Sequence, residues 1–240
     1  MNLMASKLYQ TSIEVSDAIS VMVPTVGQII DNEDDYYQVA CMIVATPYDM
    51  MVQLDDAHID FTKIDDFELF ILLFENLRAM NTSLIFGELD LSGMKVAKFE
   101  GTGELVLMDK ERDITIDRVV HAKLCDSIRN MLHMEKNNKK PGNEEARKYL
   151  IDRERKRQKR AKSKRRDSQL ENYIIALVNT EQFPYNYETV RNISIYQFYA
   201  SLNQIAHKIK YDNTMIGYYA GTIKFEDLAP ADRTWIQNTQ

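Results

Sequence analysis

The sequence predicts a mostly helical α+β fold, and three observations carry that reading. Apolar residues recur at three- and four-residue spacing through most of the chain. Residues 83–116 switch to short β-favouring runs, and one long segment is almost devoid of apolar side chains. With 240 residues, 45% of them hydrophobic, the chain is large enough to bury a full core.

The first part reads as helices announced by their caps. Thr25 and Gln28 have capping-box spacing, Thr46 precedes Pro47 at a first helical position, and Asp65 and Glu68 repeat the box. The helix after Asp65 carries Phe67, Leu69, Phe70, Leu72, Leu73, Phe74 and Leu77, is apolar nearly all round, and is expected at the buried centre of this part.

From Ser83 the period changes. Leu84–Phe86, Met94–Phe99, Glu104–Met108 and Ile114–Ile116 read as strands of a small antiparallel meander, with Gly101-Thr-Gly103 as a hairpin turn. A helix with Val120, Leu124, Ile128 and Met131 on one face follows.

Pro141-Gly142 marks a boundary, and Asn143 caps the next helix. From Asp152 to Gln169 the only apolar residue is Ala161, so this stretch is expected either as a helical rod of roughly 36 Å in water or as a charged linker without structure. After Ser168 come an apolar helix with Leu170, Tyr173, Ile174, Leu177 and Val178, and an aromatic turn-rich stretch. Ser194 and Gln197 then form another capping box, opening a helix whose Ile195, Phe198, Leu202, Ile205 and Ile209 keep a 3-4-3-4 spacing. Trp235-Ile236 is expected to plug onto this unit. The division that follows is 1–135 as an acidic α+β domain, 136–167 as a basic connector, and 168–240 as a C-terminal helical domain.

Charge is segregated more strongly than the net −6 suggests. Residues 136–166 carry 15 Lys or Arg against four acids, whereas the part through Asp126 carries 9 basic and 23 acidic residues. Such a body repels nucleic acid and leaves one segment to attract anions. Arg153, Arg155, Lys156, Arg157, Lys159, Arg160, Lys162, Lys164, Arg165 and Arg166 are therefore the candidate partner- or anion-binding residues. Three readings compete for them: a solvated helix, an arm for an acidic protein surface, or a grip on nucleic-acid phosphates. The run lacks the interleaved aromatics that stack on bases, so nucleic acid ranks below protein. The aromatic residues Tyr185, Tyr187, Tyr196, Tyr218 and Tyr219 are the second candidate surface.

Chemistry-bearing patterns are weak. Asp55, Asp56, Asp60, Asp65 and Asp66 match no calcium-loop spacing, and helix N-termini explain them better. His121 and Cys125 lie one helical turn apart with no second ligand pair, which favours a partly buried helix face. Neither a phosphate-cradling glycine loop nor a nucleophile elbow occurs. No cofactor, metal or catalytic residue is expected, and the chain reads as a non-enzyme. Cys41 and Cys125 sit in apolar helical patterns and are expected as buried, reduced thiols. The longest apolar run, Leu69–Phe74, is far too short to span a bilayer, so no membrane partner is expected.

Pro24-Thr-Val-Gly27, Asp65-Asp-Phe-Glu-Leu-Phe70, Phe86-Gly-Glu-Leu-Asp90, Ser194-Ile-Tyr-Gln-Phe198 and Tyr219-Ala-Gly221 followed by Trp235-Ile236 stand in an order and spacing that resemble a known group. It comprises proteins encoded in the structural-gene clusters of tailed bacteriophages and prophages of Gram-positive bacteria, and the resemblance extends over nearly the whole chain. It implies a role in tail or baseplate assembly, as an assembly chaperone or a minor virion component, and it supplies no catalytic residues. The partners it implies are other tail or baseplate proteins, with a homo-oligomer as a further possibility. The location it implies is the host bacterial cytoplasm or the virion tail. The reading from another class is a nucleic-acid-binding accessory protein using residues 153–166.

Overall fold

The computed structural model describes residues 6–99, 103–162 and 168–236. It is mostly helical, with two small antiparallel sheets, and is α+β as the periodicity predicts.

The chain opens with a hairpin that the sequence reading did not anticipate. Strands β1 (Ser12–Ser16) and β2 (Ile19–Met22) pair antiparallel with a bulge between Glu14 and Ser16. Val15, Ile19 and Val21 point into the core. Their period-two signal spans only four or five residues, too few to stand out beside the longer helical patterns. Helices α1 (Val26–Ile30), α2 (Glu33–Val44), α3 (Met51–Asp56) and α4 (Asp66–Leu77) follow. The capping boxes at Thr25 and Asp65 both form. Thr46 does not start a helix at Pro47. Its hydroxyl and N–H both donate to the Asp49 carboxylate, at 2.7 and 3.0 Å, closing a turn that delays α3 to Met51.

The expected strand at Leu84–Phe86 is instead a single helical turn, α5 (Ser83–Phe86), because Asn81 Oδ1 accepts from both the N–H and the hydroxyl of Ser83. A three-residue apolar run satisfies either period, and the local hydrogen bonds decide. Strands β3 (Lys95–Lys98), β4 (Leu105–Asp109) and β5 (Ile114–Ile116) form the predicted meander in the order β3-β4-β5. Gly101 and Thr102 of the expected turn lie outside the described residues. Helix α6 (Arg118–Leu132), capped by Asp117, buries Leu124, Ile128 and Met131 as its spacing requires.

From Glu144 to Lys162 the basic segment is helical, and its residues 163–166 lie outside the described residues. Asn143 caps α7 (Glu144–Lys162), whose 19 residues run for roughly 28 Å. It is no free rod: Ile151 is buried in a small apolar cluster with Met51, Val52 and Leu54 of α3 and with Phe61 and Leu69. Then come α8 (Gln169–Val178), capped by Ser168, and the long α9 (Ile195–Tyr219), opened by the Ser194–Gln197 capping box.

The principal core joins both ends of the chain. Tyr36, Phe70 and Phe74 share one apolar cluster with Leu170, Ile174, Leu177, Phe183, Ile195 and Phe198. A two-way backbone clasp fixes this arrangement, since Val26 N–H donates to the Ile193 carbonyl and Ile195 N–H donates to the Pro24 carbonyl, each at 2.9 Å. The two capping boxes thus open side by side. Gly27 lets the two segments cross closely, because a Cβ there would meet the Arg191 carbonyl at 3.0 Å and push it back by a few tenths of an ångström.

Two expectations about side chains are corrected. Cys41 is exposed, on the outer face of α2, while Cys125 is buried. Trp235 does not plug a core: the residue is 50% exposed, and its carbonyl accepts from Gln204 Nε2 at 2.6 Å. The C-terminal segment therefore lies back along α9, held also by His207 to the Thr234 carbonyl and by Lys210 to Asp232.

Replacing Phe198, fully buried against Phe183, by Ala is expected to cost about 3–5 kcal/mol of stability. Ile209→Ala, on the same helical seam but 45% exposed, is expected to stay within about 0.5 kcal/mol of the parent. Urea denaturation of both variants checks this, and equal losses would contradict the packing described.

Candidate partner-binding surfaces and a polar cleft

Helix α7 has two faces with different fates. Arg147, Ile151 and Arg155 lie four residues apart and therefore on one stripe. Arg155 bonds Asp55 at 3.0 Å and also Asp56, while Arg147 approaches Asp60 at 3.6 Å. The acidic series thus meets the basic segment of the same chain. Asp65 pairs with Arg118, and Asp66 pairs with Lys136 at 2.6 Å. Burial works against the Asp65 carboxylate, but the Glu68 N–H and the Arg118 guanidinium outweigh it and hold its carboxyl below the usual range. Among the described residues no cluster of His, Cys, Asp and Glu is placed to hold a metal ion.

Of the other candidate cations, Arg157 pairs within the helix with Glu154 at 2.7 Å. Arg153, Lys156, Lys159 and Arg160 are exposed, with Lys159 continuing the stripe of Arg155 beyond its contact with α3 and the other three on the remaining faces of the helix. Lys162 ends the helix, with its side chain outside what is described. Lys164, Arg165 and Arg166 lie outside the described residues altogether.

The five candidate tyrosines do not come together. Tyr185 packs against Phe183, the Tyr187 hydroxyl accepts from Asn179, and Tyr196 sits beside His133. Tyr218 and Tyr219 stand at the far end of α9, roughly 33 Å from Tyr196 along the helix. Tyr218 meets Phe225 edge-on, and Tyr219 is 82% exposed.

The α9 stripe continues beyond Ile209, where the sequence reading ended it. The 3-4 alternation that begins at Ile195 runs on through Asp212, Ile216 and Tyr219. Ile195 and Phe198 are wholly buried, and Leu202 and Ile205 are half-buried against the core. Ile209 and Ile216 are 45% and 66% exposed. One amphipathic helix is thus anchored at its start and uncovered at its end.

Sequence spacing also missed a cleft of about 600 Å³ bounded by residues 46–48 and 61–67, the outer side of α6, and the strap 136–141. His121 and Cys125 form part of its wall. Cys125 Sγ lies 3.3 Å from His121 Nε2, both groups reach the Ile43 carbonyl, and the imidazole stacks on Phe70 at 4.4 Å. Burial pushes the Cys125 thiol up to about 11 and holds the His121 imidazole below its ordinary value, against the opposing bond from the Ile43 carbonyl. The pair therefore stays neutral near pH 7, a thiol beside an imidazole and not the thiolate a nucleophile needs.

An imidazole whose folded pKa lies below its unfolded value of about 6.5 gains protons on unfolding, so stability rises with pH between those two values. Acidification from about pH 7.5 to about pH 5.5 is expected to lower the urea midpoint, before most carboxylates titrate. His121→Gln, which keeps a donor where Nε2 stands, is expected to lose less over the same interval. Equal pH slopes for the two proteins would contradict the placement of His121.

Residues 159–240, roughly a third of the chain, match a protein family described as the YomV second domain, a phage- or prophage-type family. The matched segment starts in the last turn of α7 and takes in α8, α9 and the returning C-terminal segment. No curated protein and no solved structure matches the chain. No helix among the described residues is long and apolar enough to cross a membrane.

Proposed function

We propose that this chain acts by binding another protein during phage tail or baseplate assembly, as an assembly chaperone or a minor virion component, with the outer half of α9 as its principal contact surface. The observation that carries this reading is the stripe of Ile209, Ile216 and Tyr219, left uncovered on a helix whose other end is locked into the core. A helix presenting anchors seven residues apart is the geometry of helix-in-groove recognition. A large apolar side chain taken from full exposure to full burial contributes about 1.5–3 kcal/mol, so these partly exposed anchors contribute less than that each and act together with the flanking contacts of a groove. Asp212, paired with Lys208 at 2.6 Å, interrupts the stripe with a polar position, a device that fixes register in paired helices.

The outward cations of α7 support the same kind of contact with an acidic partner, and Arg153, Lys156 and Lys159 make no ion pair among the described residues. Nucleic acid is the second reading that these exposed cations favour. Its signature is binding that weakens steeply with salt.

Co-expression with the tail and baseplate proteins of the same phage or prophage, followed by size-exclusion chromatography, tests the proposal. At least one of them is expected to co-elute with the parent protein and to be lost from the Ile216→Glu, Tyr219→Glu variant. That variant is expected to keep the parent's urea midpoint, since both side chains are exposed. Free protein with every component would contradict the proposal. Salt-sensitive DNA or RNA binding lost on changing Arg153 and Arg160 to Gln would replace it with the second reading.

A further inference from the structure

The cleft walled by α6 and the strap 136–141 has a charge arrangement opposite to that of the acidic body around it. Arg129 lines this cleft and is only 8% exposed, yet among the described residues it makes no ion pair, and its hydrogen bond is the one Nη2 donates to the Val44 carbonyl at 2.5 Å. A buried guanidinium carries five donors and a full charge, and leaving it without an anion is costly. The carboxylates nearby do not answer it, since Asp65 is taken up by Arg118 and Asp66 by Lys136. Asp126 remains, exposed, against Arg129, Lys139 and Lys140, so the unmatched charge of the cleft is positive.

The opposite wall places Phe61, Ile64 and Phe67 beside Thr62, Asp65 and Asp66, with the Arg118 guanidinium over the Phe67 ring. At about 600 Å³ the cleft has the size of a small-molecule site, and it combines aromatic and aliphatic side chains with convergent polar groups. The strap is tied at Lys136, which pairs with Asp66 at 2.6 Å, and at Asn137, whose Nδ2 donates to Asp49 Oδ1 at 3.0 Å, and its exposed Lys139 and Lys140 line the cleft.

We propose that this cleft binds a small organic anion, a phosphate or carboxylate group attached to an aromatic or aliphatic body. The anionic group bonds Arg129, the apolar body lies on Phe61 and Phe67, and Lys139 and Lys140 close over it. The site is separate from the α9 surface, and its occupancy does not depend on the assembly role.

Phenyl phosphate, benzoate and inorganic phosphate are the probes, titrated into the full chain while the arginine side-chain N–H resonances and the melting temperature are followed. Phenyl phosphate is expected to shift the Arg129 resonance and to raise the melting temperature with concentration, and inorganic phosphate is expected to do so more weakly. Arg129→Gln is expected to weaken phenyl phosphate binding by about tenfold or more, the size of a lost charged hydrogen bond. Because a buried arginine is a risk to folding, Lys139→Gln with Lys140→Gln on the exposed strap provides a second variant, expected to bind several-fold more weakly with the fold intact. A failure of phenyl phosphate to bind at millimolar concentration, or an affinity unchanged by the strap variant, would overturn the proposal.

Discussion

The packing of Leu170, Ile174, Leu177 and Phe198 into the same apolar cluster as Tyr36, Phe70, Phe74 and Ile128 is the constraint on which the rest of the structure depends. It requires the chain to leave the core after α6, travel through the charged α7, and return to the core at α8. The excursion ends at the clasp, where the Pro24 and Ile193 carbonyls each accept from the other strand of the crossing. With α9 anchored there at its first turns, a 25-residue helix of roughly 37 Å has nowhere to go but past the edge of the core. The uncovered stripe at its end is therefore a consequence of where the helix begins.

Charge follows the same logic on the surface. An acidic N-terminal part and a basic helix are joined in one chain, and the inner stripe of that helix meets Asp55, Asp56 and Asp60. Exposed pairs of this kind contribute little to stability, so Ile151 in the apolar seam does more than the ion pairs to hold α7 in place. What the pairs do is orient the helix, turning Arg153 and Lys156 outward. The polar cleft shows the reverse arrangement, a cation buried among residues of a net acidic part.

Much of this was legible in the residues, and the rest was lost for identifiable reasons. The capping boxes at Thr25, Asp65 and Ser194 were readable because a side-chain oxygen three residues from a glutamine or glutamate satisfies local donors whatever the tertiary context. The β3-β4-β5 meander was readable from its β-favouring runs. The β1–β2 hairpin and the α5 turn were not, because runs of three to five residues fit either period. Among the site residues, spacing placed Arg155 on the basic segment but gave no sign that it pairs with residues a hundred positions earlier. Arg129 drew no attention at all: an arginine between Ile128 and Asn130 looks like a solvated helix position, and only long-range packing shows that it is buried. The tyrosines looked like one group in sequence, yet the length of α9 separates them.

Native-state hydrogen exchange tests the shared core most directly. If α8 and the first turns of α9 belong to one cooperative unit with α4 and α6, the slowest amides of Ile174, Leu177 and Phe198 open with the same free energy as those of Leu124 and Ile128. Amides from Ile209 to Tyr219 then exchange faster, through local opening. Two distinct opening free energies, with residues 169–198 released while α4 and α6 stay protected, would contradict the account.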